Sequence, residues 1–508
     1  MKMRNALRSC FLLAILTLSG LSYSLFARPK HEFRGVWVHT VHQNQYATMN
    51  KEQMQRYFIN MLDTYQRMGI NAFVFQVRPQ ADAFYLSELE PVSRFWTGAQ
   101  GKTPSDKWDP MAFLIEECHK RGMEFHAWLN PYRVTSSDKE RLAEGHIYFK
   151  HPNWFLKYGN QIYFDAGLPQ CRKHITNVVK DIVSRYDVDA IHMDDYFYPY
   201  PIAGKEYPDG DTFKALGASQ GFGPDQRDDW RRNNVNTLIS EIKSTIVETK
   251  PWVRFGISPF GIYRNKKNHP AGSETNGLEN YGDLYADIQL WSKKGWADYI
   301  VPQLYWEIGN KAADYETLVK WWSNQKGPEH LYIGQSIVRT INNSDKNRAG
   351  SNQLSRKMQL IDENKNISGN CWWNGYDLLQ NFGGIADSLT NNYHSSIALV
   401  PAYESMYNKK PKEVSGLKAE WKPEGYYLTW KTGKQKDQGN APSRFAVYCF
   451  NDGEKVDLSN PDKIVAVTGN TELFLPYEKG NEKYTYVVTS INRYNFESKK
   501  GKKKSIKL

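Results

Sequence analysis

The chain has 508 residues, 40% hydrophobic, 14% aromatic and 24% charged, with a formal charge of +11. It is too aromatic for a disordered chain and too long for one ordinary core, so two domains are expected. Beyond residue 27 no run of about 18 apolar residues occurs, which excludes a polytopic membrane protein.

Residues 1–27 read as a secretory signal: Lys2, Arg4 and Arg8 precede the apolar stretch Phe11 to Leu18, and small-residue cleavage points follow Ser24 or Ala27. Cys10 stands before the apolar stretch, not after it, so no acyl anchor is expected and the product is periplasmic or extracellular. Cleavage after Ala27 removes three bases and no acid, taking the charge from +11 to +8. Much of that excess sits in Lys499, Lys500, Lys502, Lys503, Lys504 and Lys507, which read as a solvated, frayed end or as an attractor for an anionic wall polymer. Nucleic acid binding is not inferred. Cys118, Cys171, Cys371 and Cys449 lack zinc spacing and read as buried thiols, with room for one disulfide.

From residue 31 to 400, short apolar strands alternate with amphipathic helices, the pattern of a parallel sheet with helical crossovers. The strands fall at Phe33–His39, Ala72–Arg78, Glu124–Asn130, Ala190–Tyr196, Val253–Pro259, Tyr299–Glu307, Leu331–Ser336 and Gly369–Asn374. Between the first two, Met54, Tyr57, Phe58, Met61, Leu62, Tyr65 and Met68 form one apolar helical stripe that Gly69 can end. Asp109 and Pro110 open the next helix, and Ile175, Val178, Val179, Ile182 and Val183 mark a third. Eight such units predict a (β/α)8 TIM barrel with insertions, the open doubly wound sheet being the alternative.

Composition changes near Lys409. Residues 411–508 carry short alternating runs, including Tyr426 to Trp430, Phe445 to Phe450, Glu472 to Leu475 and Tyr484 to Asn492, separated by turn formers, as in a β-sandwich. Leu417, Trp421, Trp430, Tyr486 and the segment Thr489-Ser-Ile-Asn-Arg-Tyr-Asn-Phe-Glu-Ser498 resemble a fibronectin type III module, which usually serves as a spacer or docking surface.

Barrel enzymes place function at the C-terminal ends of the strands, so the question is which polar side chains converge there. Strand alternation sends Trp37 and His39, then Gln76 and Arg78, then His126, Trp128 and Asn130 inward. His192 and Asp194 follow on the fourth strand, with Asp195 and Tyr196 at its tip; Ser258, then Gln303, Tyr305 and Glu307 beside Trp306, and finally Trp373 and Asn374 complete the ring. Tyr132 and Asp82 lie in adjoining loops. So many polar groups at one end require a ligand or water, since each left unsatisfied costs roughly 1 to 3 kcal/mol.

Two carboxylates in a cleft lined with Trp and Tyr suit glycosidic cleavage, one protonating the leaving oxygen while the other stays ionised. Asp194 is the first candidate for nucleophile or base. Glu307 is the candidate acid, its pKa expected to be raised by the surrounding aromatic rings, with Asp195 and Asp82 in reserve. The rings offer stacking faces for sugars, and no cofactor is required. Two other readings compete: a glycan-binding protein on a former glycosidase scaffold, and a metal-dependent deacetylase using His126, His192, Asp194 and Asp195. No metal-binding signature supports the second. Ser258 is followed by Pro259, which removes the N–H an elbow-type oxyanion hole needs, and no phosphate-cradling glycine loop is present.

Six segments in order, Phe33-Arg-Gly-Val-Trp-Val38, Phe75-Gln-Val-Arg-Pro79, Phe125-His-Ala-Trp-Leu-Asn-Pro-Tyr132, Ile191-His-Met-Asp-Asp-Tyr-Phe-Tyr-Pro199, Phe255-Gly-Ile-Ser-Pro-Phe-Gly261 and Pro302-Gln-Leu-Tyr-Trp306, resemble the glycosyl hydrolase-like 10 family of exported bacterial proteins. The resemblance implies a (β/α)8 glycosidase fold and, from a member acting at the division site, hydrolysis of peptidoglycan strands stripped of their stem peptides. It assigns no catalytic residue here; Asp194 and Glu307 rest on strand geometry alone.

Overall fold

The computed structural model describes residues 29–325, 327, 330–345, 351–477 and 480–508, so the signal segment lies outside the described residues. Eight parallel strands form the barrel: β1 (Phe33–Val38), β2 (Ala72–Arg78), β3 (Glu124–Leu129), β4 (Ala190–Met193), β5 (Arg254–Ile257), β6 in two pieces (Tyr299–Ile300 and Gln303–Leu304), β7 (His330–Ser336) and β8 (Ile367–Trp373). Each pairs with the next, and β8 pairs with β1, which closes the sheet and settles against the open alternative. The principal outer helices are α1 (Lys51–Arg67), α2 (Pro110–Lys120), α3 (Pro169–Arg185), α4 (Arg227–Thr249), α5 (Ile288–Lys293), α6 (Tyr315–Ser323) and α7 (Leu354–Asp362).

Local chemistry sets these elements. Asn50 and Gln53 form a reciprocal capping box on α1, and the Asp109 carboxylate caps α2 ahead of Pro110. The outward faces of the strands pack with the helices into one continuous core. Phe33, Trp37, Val74, Trp128, Tyr299 and Tyr332 pack separately inside the barrel. There Gly256 is required: a methyl group at its position would meet the Tyr299 ring at 1.9 Å.

Three sequence expectations change. The fourth, fifth and sixth strands are shorter than expected. In the sixth, Pro302 cannot donate to the ladder and splits the strand, so Tyr305 to Glu307 lie past its end and strand alternation no longer aims Glu307. The four cysteines are all free thiols, Cys449 half-buried and the others buried. The basic tail is no frayed end: Lys502, Lys503, Lys504 and Lys507 ride on an edge strand, β15 (Lys502–Lys507), where charge discourages pairing with another sheet.

The C-terminal region forms two antiparallel sheets from β9 (Ser415–Lys422), β10 (Gly425–Lys431), β11 (Pro442–Asn451), β12 (Ile464–Thr468), β13 (Glu472–Leu475), β14 (Lys483–Asn492) and β15 (Lys502–Lys507). Their orders are β9-β10-β13 and β12-β11-β14-β15. This region is wedded to the base of the barrel. Arg444 on β11 donates to Glu124 Oε1 at 3.0 Å, where Arg254 also lands at 2.8 Å, and all three side chains are buried. Against the upward push of burial, Arg254 and Arg444 hold the Glu124 carboxyl down at about 2. Arg493 pairs with Asp187 and Lys30 with Glu497 at the same joint. A cavity of about 310 Å³, lined by Asn71, Leu399, Arg444, Val467 and Asn495 among others, lies here at the seam, at the opposite end from the strand tips.

Removing one partner of a buried ion pair leaves the other charge unpaired. Arg444→Ala should therefore lower unfolding free energy by about 2 kcal/mol, less than for an isolated pair because Arg254 stays on Glu124. Urea melts of the full chain measure this; a loss under about 0.5 kcal/mol would show that Arg444 is dispensable.

Candidate active site

Most of the interior polar residues satisfy one another. The Trp37 indole can only donate, and it donates to His192 Nε2 at 3.1 Å. His192 therefore carries its proton on Nδ1, facing the Tyr299 hydroxyl at 3.1 Å; that hydroxyl reaches His126 Nδ1 at 2.7 Å, and His126 Nε2 meets Glu124 Oε2 at 2.9 Å. The result is one hydrogen-bonded chain running down the barrel axis from Trp37 to the charged base. Ser258 Oγ lies on His192 Nε2 at 3.0 Å. Burial lowers the pKa of both histidines. Both are committed to this chain, which engages two of the four ligands named for the metal reading; among the described residues no group of three or more His, Cys, Asp or Glu side chains is arranged to hold a metal ion.

Other candidates are also structural. Gln76 Oε1 accepts the backbone N–H groups of Thr40 and Val41. Arg78 is fully buried, doubly bonded to Glu90, which also accepts from His174. Burial raises the Asp82 carboxyl to about 6, and Gln100 donates to it at 3.0 Å. Tyr132 is a core residue. Asn374 caps the short helix that follows β8. His39, lowered by burial to about 4, contacts Gln43 and the Trp373 ring.

The chemistry condenses on the two acids after β4. Asp194 Oδ2 accepts from Trp128 Nε1 at 3.1 Å, and Oδ1 from Asn130 Nδ2 at 3.2 Å. Burial, then the like charge of Asp195, push the Asp194 carboxyl up to about 7, against the pull of Arg133. Asp195 is equally buried and also raised by burial, with hydrogen bonds from Tyr200 and Gln303 acting in the other direction. Gln303 also donates to the Ser258 carbonyl at 2.9 Å, which ties the end of β6 to β5. Above the pair, the Tyr196 and Tyr200 rings stack at 5.4 Å and Arg133 lies over Tyr196 at 5.3 Å. Trp37, Tyr305, Trp373 and Trp128 form a chain of adjoining rings beside Asp194.

Glu307 departs from expectation. Its Oε1 accepts from Asn310 at 2.8 Å and its Oε2 lies 3.6 Å from Arg339. Against the upward push of partial burial, Asn310, Arg339 and Lys357 hold its carboxyl below the ordinary range, so it is no raised-pKa acid. Its neighbour Trp306 meets Phe260 edge-on at 5.3 Å, and buried Lys357 donates to the Trp306 carbonyl at 3.0 Å. Arg133 and Tyr200, absent from the sequence candidates, are the partners that matter for the acid pair. Tyr200 closes the aromatic run Tyr196-Phe-Tyr-Pro-Tyr200 immediately after it.

Comparison with known proteins places residues 32–350 in a match to the family described as Glycosyl hydrolase-like 10. Glycosyl hydrolase YngK of Bacillus subtilis (strain 168) is 41% identical over 487 residues, covering 94% of both chains. Glycosyl hydrolase DigH of Escherichia coli (strain K12) is 36% identical over 363 residues, covering 66% of this chain and 81% of that one. Among solved structures, the glycoside hydrolase domain of PgaB (BpsB) from Bordetella bronchiseptica aligns with a TM-score of 0.46 at 14% identity, over 71% of this chain and 98% of that one.

A carboxyl raised from 3.8 to about 7 on folding makes the folded state bind the extra proton. Its contribution is intact below the unfolded value, is lost as pH rises through the folded value, and becomes a constant penalty above it. Asp194→Asn should accordingly match the parent near pH 4 and exceed it at pH 8.5 by roughly 1 to 4 kcal/mol. Thermal melts across pH decide this; equal destabilisation at both ends would contradict it.

Proposed function

The chain belongs to the glycosyl hydrolase-like 10 family, and from that footing we propose that it hydrolyses O-glycosidic bonds of a polysaccharide at the C-terminal face of its barrel. The observation that carries this reading is the adjacent, buried acid pair Asp194 and Asp195 in an aromatic-walled mouth. Such a pair holds one proton near neutrality, giving the acid and the carboxylate that glycoside cleavage uses. Tyr196, Tyr200 and Trp306 offer flat faces to sugar rings, and Arg133 supplies a cation beside the acids.

We take the substrate to be a cell-wall glycan, specifically peptidoglycan strands without stem peptides, on the strength of the family resemblance, and the first 27 residues to be an export signal. Among the described residues no helix is long and apolar enough to cross a membrane. The three-plus-four strand arrangement of the C-terminal sheets supports a fibronectin type III-like module. Its buried Arg444–Glu124 ion pair with the barrel suits it to fixing the catalytic domain rather than trailing from it.

Purified protein incubated with intact peptidoglycan, peptide-stripped strands and unrelated polysaccharides, with fragments read by mass spectrometry, tests the reading. Peptide-stripped strands should be cleaved, and Asp194→Asn or Asp195→Asn should cut turnover by about 100-fold or more while strand binding persists. Binding without cleavage by the unaltered chain would mark a glycan-binding protein instead.

A further inference from the structure

Asp194 and Asp195 both come from the end of β4, so the pair supplies no carboxylate from a facing strand. Double displacement by protein carboxylates needs the nucleophile on the opposite face of the anomeric carbon from the acid. The other acid first expected from the sequence, Glu307, is engaged by Asn310 and Arg339. The mouth instead offers three features around Asp194 that match three parts of a secondary amide. Asp194 is an acceptor on the inward side of β4, steadied by Trp128 and Asn130. Tyr305 lies just past β6, its ring stacked on Trp373 and edge-on to Trp37, and its hydroxyl makes no hydrogen bond to a described residue. Between them lie the rings of Trp128 and Trp373 at 6.1 Å, Trp373 and Tyr305 stacked at 6.5 Å, and Trp37 edge-on to Tyr305 at 6.4 Å, an apolar box.

We propose that the 2-acetamido group of the β-linked amino sugar in such a glycan strand is itself the nucleophile. The amide N–H hydrogen-bonds to Asp194 and stabilises its ionised form, which moves the pair's shared proton onto Asp195, the general acid and base; Tyr305 donates to the amide carbonyl, and the methyl group enters the tryptophan box. This rests on the glycosidase reading. In the first step the acetamido oxygen bonds to the anomeric carbon as the glycosidic C–O bond breaks. The electron pair leaves with the departing oxygen, which takes the Asp195 proton. The cyclic oxazolinium cation that results is balanced by the Asp194 carboxylate. In the second step water attacks the same carbon and gives a proton to Asp195, and the ring C–O bond opens to restore the amide. Attack from the face opposite the leaving group requires the two substituents to be trans, hence the β linkage, and the product retains configuration.

Peptide-stripped peptidoglycan strands, de-N-acetylated and then re-acylated with either acetyl or trifluoroacetyl groups, test this with the full chain. Fluorine weakens the amide oxygen as a nucleophile, so trifluoroacetyl strands should be cleaved at least ~100-fold more slowly. The thiazoline of chitobiose, which mimics the cyclic cation, should bind at least ~100-fold tighter than chitobiose by calorimetry. Tyr305→Phe should lose most of the acetyl-strand rate and most of the thiazoline preference together. Equal cleavage of both strands would overturn the assisted mechanism and leave the glycosidase reading intact. Cleavage of neither, with no thiazoline preference, would overturn both.

Discussion

Two carboxylic acids placed side by side in a dry pocket cannot both ionise cheaply, and that constraint organises the mouth of this barrel. Asp194 and Asp195 are each almost wholly buried, so the first charge formed opposes the second. Every strong neighbour tempers this without abolishing it. Trp128 and Asn130 hold Asp194 by single neutral hydrogen bonds, Tyr200 and Gln303 do the same for Asp195, and the cation of Arg133 lies close enough to pull on both. A full salt bridge, of the kind Arg78 gives Glu90, would fix the charge and end any role in proton transfer; that bridge sits two strands away, at the end of β2.

Below the pair, the barrel is filled by a polar chain rather than by aliphatic layers alone. Trp37, His192, Tyr299, His126 and Glu124 hand hydrogen bonds from the mouth to the base, where Arg254 and Arg444 neutralise the terminal carboxylate. Because Arg444 comes from the C-terminal sheets, the second domain completes the floor of the first. Buried ion pairs are weak stabilisers overall but costly to break, which suits a joint meant to hold one geometry.

Much of this was legible from the chain itself. The succession of short apolar strands and amphipathic helices put eight strands in their places, and the inward set included Asp194 and the tryptophans beside it, with Asp195 assigned to the strand tip. Alternation tells where a side chain points and not what it meets. His126, His192, Gln76 and Arg78 point inward as expected, yet partners across the barrel or on neighbouring loops already satisfy them, so the open part of the crown is smaller than the sequence suggests. Glu307 was misplaced because Pro302 breaks β6 and the residues past the break follow a turn. Arg133 and Tyr200 lie in loops, where no period exists to orient them. Arg444 pairs with a residue 320 positions away, a separation no local pattern encodes.

The most direct test of the account is a titration of the aspartate carboxyl carbons by NMR in selectively labelled protein, with Asp194→Asn and Asp195→Asn used for assignment. One carboxyl of the pair should keep its proton well above the ordinary aspartate range and release it near pH 7, with the survivor in either variant titrating lower than in the pair. If both acids instead ionise below about pH 5, independently of each other, the shared proton does not exist and the mouth loses its catalytic logic.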